Sequence, residues 1–372
     1  MGEAISLIPV VKALSEILPD HKLIITTLSE TGHQAVTERL NPEISTYLPV
    51  DYPFLINRFL HHYKPQLLLL METEFWPNLI SLATAHSIPI VVANGRVSPG
   101  TLKRYHIFSN LYKPLLQNIQ AFIAQSEDDA KRAEEIGIPK DRITITNDIK
   151  YDQITDNPHH EKLKELEETL KVPGRRIIVA GSTHPGEHEP IIDEFARLLE
   201  KNPDTWMIIA PRHLEAVQSI KSKLKSSKIR YLERSLQLET NKTWEPNEKV
   251  LILDTMGDLA YIYHFASVCF VGGSLVPIGG HSPLEPAIFG KPVLTGPQAF
   301  NFSDANNILI KVGALEEVNN TEHLFEVIEY LLNNPEIAEK RGAAGMEAVK
   351  SVSGASKEIA SLVAMIITEK RT

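Results

Sequence analysis

The stretch Val271-Gly-Gly-Ser-Leu-Val-Pro-Ile-Gly-Gly-His-Ser-Pro-Leu-Glu-Pro-Ala287 decides the fold class. Residues 266–271 just before it form a short apolar run with β-branched side chains, the pattern of a buried parallel strand. Gly272 and Gly273 let the backbone turn and approach a ligand, and Gly279 and Gly280 repeat the device a few residues on. The pattern predicts a helix over 283–289, whose first turn would favour an anion, and a second strand over 291–295. Glu285 falls in that first turn, where it either caps the helix or accepts hydrogen bonds from a ribose diol. A Gly-rich connection occurs in many α/β domains. Two Gly pairs with His281 and Glu285 between two buried strands favour a nucleotide-type ligand at the strand ends.

Outward from this stretch, the 372 residues are too many for one ordinary domain, and two is the natural expectation. A hydrophobic content of 43% predicts a packed core. The single cysteine, Cys269, excludes an intramolecular disulfide framework and sits in an apolar strand, as a core residue does. A net charge of −9 argues against general nucleic-acid binding. No run of about 18 apolar residues exists to span a membrane.

A helical pattern covers 4–18, with Pro9 expected only near its start. Strands then alternate with helices: 21–27, 44–48, 66–71, 89–93, 121–124 and 143–146. A charged, strandless segment over 151–174 reads as a linker followed by a helix. A second series follows at 176–180, 205–210, 228–232, 249–254, 266–271 and 292–295, with helices over 321–333 and 335–352 and an amphipathic tail over 357–368. This rhythm predicts α/β architecture: two Rossmann-like parallel-sheet domains facing a cleft, 1–152 and 153–354, and a C-terminal helix over 355–372 that crosses back to the first. An α/β domain that opens on a helix lacks its first strand.

Several polar residues fall at predicted strand ends. Glu72 and Glu74 follow the strand over 66–71 and suit acid/base groups, metal ligands or acceptors for sugar hydroxyls; Glu74 alternatively only pairs with Arg96. Gly181-Ser-Thr-His-Pro-Gly-Glu187 lies between a strand and a helix, so its N–H groups would cradle an anion. Arg212, in Ala210-Pro-Arg-His213, can bind a phosphate or carboxylate bidentately. His184, His213 and His281 lack metal spacing and suit hydrogen bonding to an anion. Asp258, at the end of another predicted strand, is read as a helix cap. Between Glu74 and Glu127 there is no acid, while Arg96, Lys103, Arg104 and Lys113 are present. The segment 102–116 interleaves bases with aromatics. It suits an anionic membrane surface, or else a core-facing stripe of Tyr105, Phe108, Leu111 and Tyr112.

Together, Glu72-Thr-Glu-Phe-Trp-Pro-Asn78, Asn94-Gly-Arg-Val-Ser98, Ala180-Gly-Ser-Thr-His-Pro-Gly-Glu187, Ala210-Pro-Arg-His213 and the 271–287 stretch resemble the Kdo transferases in identity and order. These are GT-B glycosyltransferases of lipopolysaccharide synthesis that act on lipid A, and the similarity runs from Gly2 to about Gly354. Ser282 stands where the family has Asn, and Gly95 where Ala is usual. The resemblance implies transfer of Kdo from CMP-Kdo to a lipid A precursor, with Glu3 as general base and without metal or cofactor. It implies acceptor contacts from Glu72, Glu74, Arg96, Lys103 and Arg104. Donor contacts are implied for Ser182, His184, Arg212, His213, Gly257, Asp258, Gly273, Ser274, His281, Ser282 and Glu285. The implied place is the cytoplasmic face of the bacterial inner membrane, held peripherally because the family's upstream strand and N-terminal anchor are absent. On that ground the chain is expected to bind CMP but to transfer Kdo poorly. The alternatives are another GT-B sugar-nucleotide enzyme, such as a UDP-sugar transferase or epimerase, and an inactive remnant that only binds CMP.

Overall fold

The computed structural model describes residues 2–40, 42–152, 160–172, 174 and 176–369, with backbone alone at 2–6, 39 and 160. It divides into one unit of Met1–Asp156 with Val352–Thr372 and a second of Asn157–Ser351. The expected linker falls largely on 153–159, outside the described residues.

The first unit opens on the helix Gly2–Ile17, with no strand before it among the described residues. Pro9 lies inside this helix rather than at its start, so one i→i−4 hydrogen bond is missing there. Two strands follow, β1 (Ile24–Thr27) and β2 (Ile44–Tyr47), paired in parallel. A separate parallel sheet comprises, in this order, β3 (Leu68–Met71), β4 (Ile90–Gly95), β5 (Ile119–Ala124) and β6 (Ile143–Ile145). β4 is buried throughout, which its run of β-branched residues suits. A cavity of about 690 Å³ is lined from β1 and β3 together, with Val11, Leu14, Ile25, Leu69 and Met71 on its walls. Those two strands are edges of their respective sheets.

The C-terminal helix Ala355–Glu369 belongs to this unit. Ala355, Ile359, Ala360 and Val363 pack with Val10, Ala13 and Leu14 of the first helix over Val91 and Ile123. The Asp152 carboxylate accepts from the Gly354 and Ser356 N–H groups at 2.5 and 2.6 Å, tying down the start of that helix.

The second unit has one sheet of seven parallel strands. They are β7 (Ile177–Thr183), β8 (Trp206–Pro211), β9 (Tyr231–Glu233), β10 (Val250–Ile252), β11 (Val268–Val271), β12 (Val293–Thr295) and β13 (Leu315–Glu317). Their order is β13-β12-β11-β7-β8-β10-β9. Alternate residues feed two cores. Ile178, Ala180, Met207 and Phe270 face one side, and Ile177, Val179, Ile208 and Cys269 the other. The sheet grows from β7 in both directions, toward β8 and toward β11. That reversal opens a crevice at the strand C-termini, where α/β sheets gather ligands.

The helix expected over 283–289 is only a four-residue turn, Leu284–Ala287. Pro283 and Pro286 bring no N–H, and Gly290 leaves the helix at φ +67°. It offers no anion-binding terminus. β13 has no counterpart in the sequence reading, because Leu315-Glu-Glu317 is short and two-thirds acidic.

Candidate functional site

The loops after β7 and β11 meet at the reversal point. His184 and His281 stack with ring centroids 5.2 Å apart and planes 11° from parallel, their Nε2 atoms 2.9 Å apart. His213, after β8, stands edge-on to His184 at 5.5 Å. Arg212 and His213 are exposed. Burial pulls the His281 imidazole down to about 4, helped by His184, Arg212 and His213. His184 is lowered as well, first by burial. Both rings are therefore neutral at pH 7 and can donate or accept. Burial also lifts Glu285 to about 6 although Arg212 pulls the other way, and the side chain keeps part of its surface to water. Beside it the Tyr263 phenol is fully buried and raised by desolvation, with Gly181 lacking a Cβ where the hydroxyl lies. Arg212, three imidazoles and one desolvated carboxyl thus lie together at these strand ends.

Other expected donor residues are engaged differently. The Ser274 side chain is fully buried. Its hydroxyl donates to the Val271 carbonyl at 2.6 Å and accepts from the Gly296 N–H at 2.8 Å, so it faces the fold. The Gly273 and Ser274 N–H groups point to the Glu187 carboxylate at 2.8 and 3.1 Å. Within the anion cradle expected over 181–187, the His184 N–H donates to that same carboxylate at 2.8 Å, so the protein's own acid takes this group. Asp258 occupies the N-cap position of the turn Leu259–Ile262 without capping it. Its carboxylate takes Thr255 Oγ1 at 2.7 Å and Lys162 Nζ at 2.9 Å, near the buried Arg234 at 4.0 Å. Gly257, at φ +88° with nothing close to its Cβ direction, carries the exposed Met256 at the tip of that loop. Ser182 adopts φ +52°, a left-handed conformation costly for a non-glycine residue. Ser282 is half-buried.

In the first unit, Glu72 also sits in the left-handed region at φ +55°, directly after β3. Glu74 accepts from the Trp76 indole Nε1 at 2.7 Å and makes no ion pair with the exposed Arg96. The segment 102–116 is two helices, Pro99–Ile107 and Ser109–Leu116. Tyr105 and Tyr112 turn inward, T-shaped at 4.5 Å. Ile107, Phe108 and Leu111 face outward, the first 75% exposed, beside the exposed Lys103 and Arg104. The core-stripe reading therefore holds for the tyrosines and fails for Phe108 and Leu111. Glu3 lies in the first turn of its helix, and its side chain is outside the described residues. Sequence reading missed Glu187, Tyr263, Lys162 and Arg234. Each acts through a contact with a residue far along the chain.

Two Rossmann-like parallel-sheet units with loops gathered at a strand-order reversal define the GT-B class of two-domain proteins. The fold resembles a UDP-GlcNAc 2-epimerase from Neisseria meningitidis, with TM-score 0.62 and 18% identity over 97% of this chain and 96% of that one. It also resembles a glycosyltransferase from Rickettsia africae, with TM-score 0.56 and 18% identity over 98% and 94%. Residues 1–153 match the 3-deoxy-D-manno-octulosonic-acid transferase (kdotransferase) family. The 3-deoxy-D-manno-octulosonic acid transferase of Haemophilus influenzae is 37% identical over 98% of this chain and 84% of its own length. The chain belongs to the Kdo transferases, an enzyme family of glycosyltransferases.

Proposed function

We propose that the chain transfers Kdo from CMP-Kdo to a lipid A precursor, with the donor held on the Asn157–Ser351 unit. The observation that carries this reading is the wall of Arg212, His184, His213, His281 and Glu285 at the ends of β7, β8 and β11. CMP-Kdo offers a phosphate and a carboxylate to Arg212 and the imidazoles, and a ribose diol to Glu285. A guanidinium matches either anion bidentately, and the desolvated neutral rings of His184 and His281 add donors without competing charge. Burying Glu285 is costly for a carboxylate without a ligand, and a diol would supply the missing donors. Glu3 takes the acceptor hydroxyl proton as general base, and attack on the anomeric carbon expels CMP. Glu72 and Glu74 orient the acceptor. Lys103 and Arg104, with the outward Ile107, Phe108 and Leu111, rest on the anionic cytoplasmic face of the inner membrane.

The product's mass after incubation with a lipid A precursor and a CMP-Kdo-generating system tests this directly. A mass increase of one or more Kdo units is expected, and none would refute the activity. Arg212→Ala should weaken CMP binding about tenfold or more, by loss of charge-assisted hydrogen bonds worth ~1.5–3 kcal/mol. Glu3→Gln should keep CMP binding and lose transfer. Preference for UDP over CMP would turn the reading toward another sugar-nucleotide enzyme.

A further inference from the structure

We infer that Glu187 is a positioning residue of the donor site: its carboxylate clamps the loop after β11 to the loop after β7 and thereby sets His281 against His184. The inference rests on the donor reading above for its consequence in binding, and on geometry alone for the clamp.

Glu187 is 0% exposed. One carboxylate oxygen accepts from the His184 N–H at 2.8 Å and the Gly273 N–H at 2.8 Å, one group from each loop. The other accepts from the Ser274 and Leu275 N–H groups at 3.1 and 3.0 Å. Four backbone donors converging on one buried carboxylate make a nest of the kind that elsewhere binds phosphate. Here an internal anion fills it, so a ligand's anion goes instead to Arg212 and the imidazoles. The two loops approach too closely for a side chain between them. A Cβ on Gly272 would lie 2.6 Å from the Thr183 Cα and 2.9 Å from the Glu187 carboxylate. Gly273, at φ +67°, turns its N–H to the carboxylate, and a Cβ there would press on both imidazoles at 3.1–3.2 Å. The Nε2···Nε2 contact of His184 and His281 therefore depends on the clamp. Glutamine matches glutamate in shape, but its NH₂ cannot accept from the N–H groups it would meet.

The test uses the full chain and its Glu187→Gln variant, labelled at histidine, with CMP as the probe. His281 titration is followed by NMR and CMP binding by calorimetry. The groups that shift His281, besides its burial, are His184, Arg212 and His213, and Glu187 is not among them. The Glu187 charge acts directly on His184, which it raises, and reaches His281 only through that ring, whereas parting of the loops hydrates His281 itself. The expected result is that His281 moves up by a unit or more toward ~6.5, with CMP affinity falling at least ~10-fold. A folded variant with His281 unmoved would overturn the clamp. Glu187→Asp keeps the charge but withdraws it by one methylene, and decides by the same readout should the glutamine variant not fold. If the parent chain does not bind CMP, the donor reading fails, while His281 still judges the clamp.

Discussion

At the strand ends of the Asn157–Ser351 unit, Glu187 occupies four N–H groups, Ser274 bonds to two strand ends, and Asp258 is held by Thr255 and Lys162. The Met1–Asp156 unit is built otherwise. Its edge strands β1 and β3 line a mainly apolar cavity, and its helix Pro99–Ile107 buries none of its side chains completely. Under the function proposed above, the difference follows from what each region would recognise. A small, densely charged nucleotide rewards fixed dipoles, because groups already oriented need no reordering on binding. A large amphiphile at a surface rewards exposed apolar and basic side chains, which need little mutual precision.

The sharpest way to break this contrast is to insert one methyl group in each unit. In Gly296→Ala the new Cβ would lie against the Ser274 carbonyl and 2.7 Å from the Leu275 nitrogen, both backbone and both in the clamped loop. Overpacking against backbone should cost about 3 kcal/mol. For a unit of this size that lowers the melting temperature by roughly 6–12 °C. In Gly100→Ala the nearest atom is the Ser98 Oγ at 3.8 Å, within a helix. That change should stabilise by ~0.5–1 kcal/mol. Equal melting temperatures for the two variants would show that the loops after β11 are looser than their geometry.

A smaller effect is expected at the exposed face of the first unit. Replacing Lys103 and Arg104 together with Glu removes two bases worth ~1 kcal/mol each at an anionic surface. Flotation with phosphatidylglycerol vesicles should show association reduced about 30-fold, with CMP affinity unchanged. Unchanged vesicle association would leave Ile107, Phe108 and Leu111 as scattered surface residues without a membrane role.

The strand–helix rhythm was legible because the two larger sheets are parallel and largely buried, so runs such as Ile177-Ile-Val-Ala180 and Ile90-Val-Val-Ala93 stand out against the polar loops. The positions of Arg212, His184 and His281 at strand ends were legible for the same reason. What those loops do to one another was not. Glu187 reads locally as an acid before a helix, and its partners at 273–275 arrive only because β11 pairs with β7. Asp258 reads as a cap, since Lys162 and Arg234 are brought to it by tertiary packing. The helix expected over 283–289 shrinks to one turn because Pro283 and Pro286 supply no N–H to extend it.

The smallest expected effect concerns stability against pH, and it separates a site built for a ligand from one built for the fold. Glu285 titrates near 6 in the folded chain against an ordinary value of 4.5, because burial outweighs Arg212. Its contribution to stability is complete below 4.5, where folded and unfolded states both hold the proton. It is lost as pH rises through 6. At pH 7 the ionised group costs about 1–2 kcal/mol, allowing for its remaining contact with water. His281 has the opposite sign: depressed from 6.5 to about 4, it contributes stability above 6.5 that is lost as pH falls through 4. Glu285→Gln should therefore raise the melting temperature at pH 7 by a few degrees, and the gain over the parent should vanish at pH 4.5. The same variant should bind CMP more weakly, since an amide has one carbonyl acceptor where the carboxylate offers two oxygens to a diol. A Gln variant that is no more stable at pH 7 would mean that Glu285 is solvated. One that is more stable and binds CMP as well as the parent would mean that the strain at Glu285 serves no donor contact.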